Sequence, residues 1–303
     1  KLAVPFRRLL NVPDLTVAVR TLGLSINRNG GTLGNGTVAN PNTTFVDFSA
    51  DSTRDGHVGT PLTVTTGPGG TLTIDLDGRS LLKAEGAVDI GVFGFFFVSG
   101  NFAFEKSTAT IKVGSGAASE NVPVNLLTVG ASDVSAFAGV NGPYILDDNG
   151  TPADSSDDTT NPSAMGLSLS GVDFALAMMK STAASQTSST DQRSWTSLKA
   201  TVGSAAFVGI DGLTISVNSL SVAINKAGGT KNGIANTAVA DFSTTPLLVD
   251  IGGGNTMSFD FSAAQGALLK AEGNIILDVF GFFYLNGNFA FEKSSRIITV
   301  TNG

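Results

Sequence analysis

Leu81–Ser107 reads LLKAEGAVDIGVFGFFFVSGNFAFEKS, and Leu268–Ser294 reads LLKAEGNIILDVFGFFYLNGNFAFEKS. At a constant offset of 187, 19 of the 27 positions are identical. Most of the differences are swaps of like for like, such as Val88/Ile275, Ile90/Leu277, Phe97/Tyr284 and Val98/Leu285. A period this long is one structural unit copied in tandem, and tandem units normally build arrays, stalks or fibres.

Each copy reads as two alternating runs around a glycine-containing turn, which is a β-hairpin pattern. A three-residue loop at Val92-Phe93-Gly94 sets Leu82 opposite Phe104, Ala84 opposite Phe102, Gly86 opposite Gly100 and Val88 opposite Val98. The second copy then pairs Leu269/Phe291, Ala271/Phe289 and Gly273/Gly287. One face is apolar or glycine throughout. The other, with Lys83, Glu85, Asn101 and Ser99, is mostly polar and reads as the solvated side. A one-residue slip would exchange the faces, so the register is well specified. Asp211-Gly212 reads as a two-residue turn that sets Gly203 opposite Leu220 and Ala205 opposite Asn218. Small residues aligned at mid-strand predict strands that bend at a common level.

The duplication reaches upstream. Leu22–Arg28 (LGLSINR) matches Leu220–Lys226 (LSVAINK), and Val46-Asp47-Phe48 matches Ala240-Asp241-Phe242. The first copy carries longer loops, Asn29–Gly36 and Asp51–Gly59, a change that loop-closure entropy tolerates. The expected layout is a unit B over 14–113, an intervening unit A over 114–212 and B again over 213–303. Leu167–Lys180 is the best helical candidate, but Val172, Phe174, Leu176 and Met178 alternate and predict a strand. The fold class is therefore all-β: an elongated, bent antiparallel β-sheet, β-solenoid/β-roll-like or an open sandwich, built from tandem repeats.

The 303 residues are 42% apolar and 14% charged, with 37 glycines, a composition able to bury a core. A net charge of −7 with no basic stripe argues against nucleic acid as a partner. The absence of cysteine excludes disulfides and thiol chemistry. The longest apolar run, Ile90–Phe104, is too short and too interrupted to span a bilayer as a helix. A chain that starts at Lys1, close to one repeat, and stops just past another reads as a window of something longer.

Few residues suggest chemistry. His57, the only histidine, sits in a polar loop that the second copy lacks, so a catalytic triad there would be missing from its sister unit. Gly67–Gly70 and Gly252–Gly254 are glycine-rich, but no GK[ST] follows, so they read as turns. Lys83/Glu85 and Glu105/Lys106, repeated as Lys270/Glu272 and Glu292/Lys293, suit a solvated scaffold better than paired acid and base. The phenylalanines Phe93, Phe95, Phe96, Phe97, Phe102 and Phe104 read first as core. The acidic insert Leu146–Asn161 is the one candidate metal site. There Asp147, Asp148, Asn149, Asp154, Asp157 and Asp158 would offer the oxygens that calcium prefers, although the spacing matches neither an EF-hand nor the nonapeptide calcium repeat.

The motifs GVNG…GLSLSGVDFALAMM, SWTSLKA…VGIDGLTISVNSLSVAIN and LLKAEG…VFGF…GNFAFEKS resemble the tandem repeats of very long bacterial cell-surface, adhesin-like proteins. That resemblance spans nearly the whole chain. It implies an extracellular or cell-surface structural role and brings no catalytic residue with it. The first expectation is thus a non-catalytic module of an extracellular fibre, filament or adhesin stalk, associating with itself or with neighbouring repeats through sheet edges, with Arg296–Val300 as the pairing strand. The alternative is a lipid-conducting β-groove with an apolar inner face. Surface glycan and lipid are the candidate ligands, and the discriminating question is whether the apolar face closes on protein.

Overall fold

The computed structural model describes residues 14–32, 42–53, 56–146, 158–185 and 190–295. Among them there is no α-helix, and one large antiparallel sheet dominates. Its first edge is formed by β1 (Leu15–Val19) and β2 (Gly23–Asn27). After the short hairpin β3 (Leu62–Gly67) and β4 (Gly70–Ile74), the sheet resumes with β5 (Leu81–Val92), β6 (Phe96–Val113) and β7 (Glu120–Val140). The two-residue strands β8 (Ile145–Leu146) and β9 (Thr159–Thr160) form a small excursion before β10 (Met165–Ser181), β11 (Ser194–Val208) and β12 (Leu213–Gly228). A second excursion holds β13 (Thr230–Lys231), β14 (Ile234–Ala235), β15 (Leu247–Gly252) and β16 (Asn255–Phe259). β17 (Leu268–Val279) and β18 (Phe283–Ser294) complete the sheet. Its order, β1-β5-β6-β7-β10-β11-β12-β17-β18 with β2 also on β5, follows the chain: an up-and-down meander with excursions at strand ends. It is not a closed barrel.

The duplication is a duplication of hydrogen bonds. Asn27 Nδ2 donates to the Val46 carbonyl at 2.7 Å, and Asn225 Nδ2 to the Ala240 carbonyl at 2.8 Å. The Asp47 carboxylate accepts from the Ser49 N–H, and Asp241 from the Ser243 N–H. Phe93 N–H donates to the Asp14 carbonyl and Phe280 N–H to the Gly212 carbonyl, both at 2.6 Å. Hence β1 and β2 together correspond to β12, and β3–β4 to β15–β16.

The hairpin is present in both copies, displaced from the expected register by two residues. Ala84 faces Phe104, Gly86 faces Phe102, Val88 faces Gly100 and Val92 faces Phe96. The second copy repeats this as Ala271/Phe291, Gly273/Phe289, Ile275/Gly287 and Val279/Phe283. The turn is Phe93-Gly94-Phe95, and Phe93 and Gly94 both have positive φ, 54° and 64°. That left-handed pair turns the chain one residue later than a single glycine would. An even displacement keeps each side chain on its face, so the faces survive. The glycine pair does not: Gly86 and Gly100 are not opposite each other.

What stands opposite those glycines is a bulge. β5 changes register between β1 and β2, where Val19 faces Val88 and Gly23 faces Glu85. Gly86 sits at that step, and a Cβ there would lie 2.1 Å from the Thr21 carbonyl oxygen. Likewise a Cβ on Gly100 would lie 2.8 Å from the Val134 Cα, where the β6–β7 register shifts. Gly273 lies against the shift between Asn218 and Ser221. Asp133, Gly171 and Ser219 carry φ of 52°, 58° and 54° at the same level. β11 meets β12 one residue out of the expected register, with Val202 opposite Leu220 and Ser204 opposite Asn218. The two-residue turn at Asp211-Gly212 is replaced by a longer connection with positive φ at Gly209 and Gly212. A level of mid-strand irregularity does cross the sheet, made of bulges set against glycines.

The core reverses the expected sides. Ile111, Val124, Leu126, Ala177, Met179 and Trp195 on the sheet are buried against Phe242, Val249, Phe259 and Phe261 of the second excursion. These sheet residues share a face with Lys83, Ala103, Glu105 and Ser107, as the ladders Lys83/Glu105/Thr128 and Ser107/Leu126 require. The side read as solvated is therefore the covered one. The polar groups of that face are partnered rather than hydrated: Glu105 and Ser197 are buried, and Lys83 bridges to Asp250 of β15.

Candidate functional site

The apolar face is built by simple alternation on every strand. On one side of the bulge level, Leu24, Ala84, Phe104, Val129, Leu176, Leu198, Ile224 and Leu269 lie side by side from β2 to β17. On the other side, Val17, Ile90, Val98, Ala136, Leu169, Ala205, Val217 and Ile275 form the corresponding row. β7, β10, β11 and β12 keep their apolar residues on this face only because the bulges switch their parity between the two rows. None of the residues in either row is buried, and Leu24 and Phe104 remain 64% and 38% exposed. No described element lies over this surface. At about 4.8 Å per neighbouring strand, the nine strands of the ordered path present a surface about 40 Å wide.

Charge is sorted between the faces. On the covered face, Arg79 is held by Asp77 at 2.7 Å and Glu105 at 3.3 Å. Burial works against its charge, but those two carboxylates raise its pKa above the ordinary arginine value. Burial likewise opposes the Lys83 ammonium, which Asp250 and Glu85 nevertheless hold above the usual lysine range. Arg193 is bound by Asp191 at 2.9 Å and by Glu120, and its guanidinium lies 5.4 Å from the Trp195 ring centroid. Arg193 in turn draws the Asp191 and Glu120 carboxyls below their ordinary range.

Two concavities open on the covered side. A cleft of about 720 Å3 is bordered by His57, Arg79, Lys112 and Asp241 over a floor from β6 and β7. His57 is exposed, in a loop as expected, and the other three charges are in ion pairs. A groove of about 450 Å3 runs beneath Tyr144 and Ile145, with Phe97 and Phe137 in its wall. There Arg20 meets Asp89 at 3.1 Å and Ser99 at 3.3 Å. Each of these arginine, lysine and aspartate charges has a structural partner in place.

Of the proposed calcium ligands, Asp147, Asp148, Asn149, Asp154 and Asp157 lie outside the described residues, and Asp158 alone is described. No group of three or more acidic, histidine or cysteine side chains gathers among the described residues. The edge stretch Arg296–Val300 also lies outside them. Among the phenylalanines, Phe97 packs against Phe137 on the covered side in a tilted pair, with ring centroids 6.4 Å apart, whereas Phe93, Phe95, Phe96 and Phe104 are exposed. The sequence left open whether the apolar face closes on protein, because an alternating pattern tells which side is apolar, and nothing in it tells which side the excursions will choose. No helix among the described residues is long and apolar enough to cross a membrane. Comparison of the chain with family models, with curated proteins and with solved structures finds no match.

Proposed function

We propose that this chain is a non-catalytic repeat module whose sheet carries lipid acyl chains along its apolar face. The observation that supports this most is the inversion of covering: the excursions pack on the polar face and leave the apolar one bare from β2 to β17. A typical soluble monomer exposes a largest apolar patch of roughly 300–600 Å2, and larger ones mark ligand or partner sites. Acyl chains suit such a surface, since they need apolar area and no hydrogen bonds. Bulges bend strands and increase their twist, so the bulge level would bend the sheet at one height across its strands.

The test is lipid content and uptake. The protein purified without detergent, then extracted with organic solvent, should release acyl lipids. Val222→Glu, which places a charge in the middle of the face, should reduce that yield several-fold. A protein that carries no lipid and takes up no dodecyl amphiphile from dilute solution would sink this reading.

A second reading, a structural module of an extracellular fibre or adhesin stalk, rests on a different observation. Ala103 and Glu105 are buried, 4% exposed each, whereas their repeats Ala290 and Glu292 on β18 are exposed. The same sequence is covered in one copy and bare in the other, which favours a neighbouring unit against β18.

A further inference from the structure

The lysines and arginines of the described chain fall into two sets. One set is ion-paired: Arg20 with Asp89, Arg79 with Asp77 and Glu105, Lys83 with Glu85 and Asp250, Lys112 with Asp241, Arg193 with Asp191 and Glu120, Lys199 with Asp260, Lys231 with Glu120 and Lys270 with Glu272. The other set is Arg28, Lys106, Lys180, Lys226 and Lys293, all exposed and none in an ion pair with a described residue. Those five share one location. Lys106 faces Leu82 and Leu127, Lys226 faces Thr196, and Lys293 faces Leu269, all on the apolar face. Lys180, two residues beyond Met178, and Arg28, two beyond Ile26, follow by alternation.

They also share one rim. β2, β6, β10, β12 and β18 run in the same direction. Arg28, Lys180, Lys226 and Lys293 lie within two residues of a strand end or just past it, and Lys106, seven residues before the end of β6, stands level with Lys226 through Leu127, Met178 and Thr196. Neighbouring cations are thus about two strand spacings, or roughly 10 Å, apart. Arg28 and Lys226 are repeats of one another, as are Lys106 and Lys293, so both B units build this rim and the A unit adds Lys180. The strand carboxylates Glu85, Asp89, Glu105, Glu272 and Asp278 point to the opposite face by the same alternation. In a chain of net charge −7, this segregation leaves a row of unpaired cations along one margin of an apolar surface.

We infer that this rim binds the anionic head, phosphate or carboxylate, of an amphiphile whose tail lies on the apolar face, pointing away from the rim toward the turns at Phe93-Gly94 and Phe280-Gly281. The inference rests on the lipid-carrying reading and adds to it the charge and orientation of the ligand. A lysine on a flexible stem binds phosphate as a point charge, and a head lying near two such residues draws on both while the tail displaces water from Leu, Val and Phe side chains.

Isothermal titration of the whole chain with dodecyl phosphate, dodecyl phosphocholine and inorganic phosphate tests it at low ionic strength. The two amphiphiles have the same tail and differ in head charge. Dodecyl phosphate should bind about tenfold more tightly than the phosphocholine, a preference that salt reduces. The triple variant K106Q/K180Q/K226Q should lose that preference while still binding the phosphocholine. A control variant, K199Q/K231Q, removes two cations from the covered side and should behave as the native chain. Circular dichroism and melting check that both variants are folded. Equal affinity for the two amphiphiles, unchanged in the triple variant, would overturn the rim and leave the lipid reading intact. Failure of both amphiphiles to bind would overturn the lipid reading itself. Inorganic phosphate binding as tightly as dodecyl phosphate would disprove the coupling of head to tail. Adsorption to anionic vesicles without uptake of monomeric amphiphile would make the rim a membrane-docking strip instead and overturn the proposal.

Discussion

Gly86 illustrates why a single residue in a repeat is fixed. Its α-carbon faces the carbonyl of Thr21 so closely that a Cβ would sit 2.1 Å from that oxygen. Gly86→Val must therefore open the β2–β5 bulge and should cost on the order of 1–3 kcal/mol. Chemical denaturation measures this, and an unchanged midpoint would count against the bulge as a fixed feature. The Arg193 cluster gives a pH dependence. Arg193 hydrogen bonds hold Asp191 and Glu120 below their ordinary carboxyl values of 3.8 and 4.5. Folded-state values below unfolded ones mean that the unfolded chain takes up protons first. The stabilisation is then complete above about pH 5 and is lost as the pH falls through the folded-state values. The effect is modest, because Glu120 is 45% exposed. Melting temperature followed from pH 7 to pH 3 should fall less steeply in Arg193→Gln than in the native chain.

At the scale of elements, β15–β16 is the clamp of the covered face. Phe259 is 0% exposed and stacks on Phe261, with ring centroids 5.6 Å apart. Its truncation, Phe259→Ala, should cost about 3–5 kcal/mol, as for a large side chain removed from a packed core. The corresponding hairpin β3–β4 has Leu62, Val64 and Leu72 exposed at 44%, 39% and 45%. Leu72→Ala should therefore change stability by less than about 1 kcal/mol, although it occupies the place of Met257 in the repeat. A loss at Leu72→Ala as large as that at Met257→Ala in urea unfolding would show that the first hairpin packs as the second does.

For the whole molecule, the parity of the strand count governs assembly. Every neighbouring pair from β1 to β18 is antiparallel, so the two edge strands run in the same direction. A second copy added head to tail with its apolar face on the same side could only pair β18 with β1 in parallel. Such direct addition would join the sheets by a parallel pair, which is slightly less stable per residue, whereas a three-stranded unit like β7, β10 and β11 between them restores antiparallel pairing. Extending the chain after residue 303 by a second copy of residues 114–303 should cover β18 as β7 and β15–β16 cover β6. The chain has no cysteine, so thiol labelling reports this cleanly: Ala290→Cys should react in the native length and be protected in the extended one, whereas Ala103→Cys should resist labelling in both. Equal labelling of Ala290→Cys in the two lengths would mean that the added unit does not continue the sheet.

Alternation and repetition in the sequence determined the strand content, the hairpin at Leu81–Ser107 and its copy, the single strand at 165–181 and the composition of each face, because side-chain direction along a strand has a period of two whatever the partner. The upstream matches, Asn27 with Asn225 and Asp47 with Asp241, were legible for the same reason and proved to mark equivalent hydrogen bonds. Register depended on details of the turn: the left-handed Phe93 moved the hairpin by two residues and the longer connection before Gly212 moved β11 against β12 by one. The row of cations could not be seen in the sequence: alternation puts Glu105 and Lys106 on opposite faces, but only the ladders bring Lys106 level with Lys226 across the sheet. Which face is covered was decided by tertiary structure alone. Phe242, Phe259 and Phe261 bury their rings where Arg79 and Lys83 can also find carboxylates, and the pairing of those charges lets a nominally polar face become the dry one.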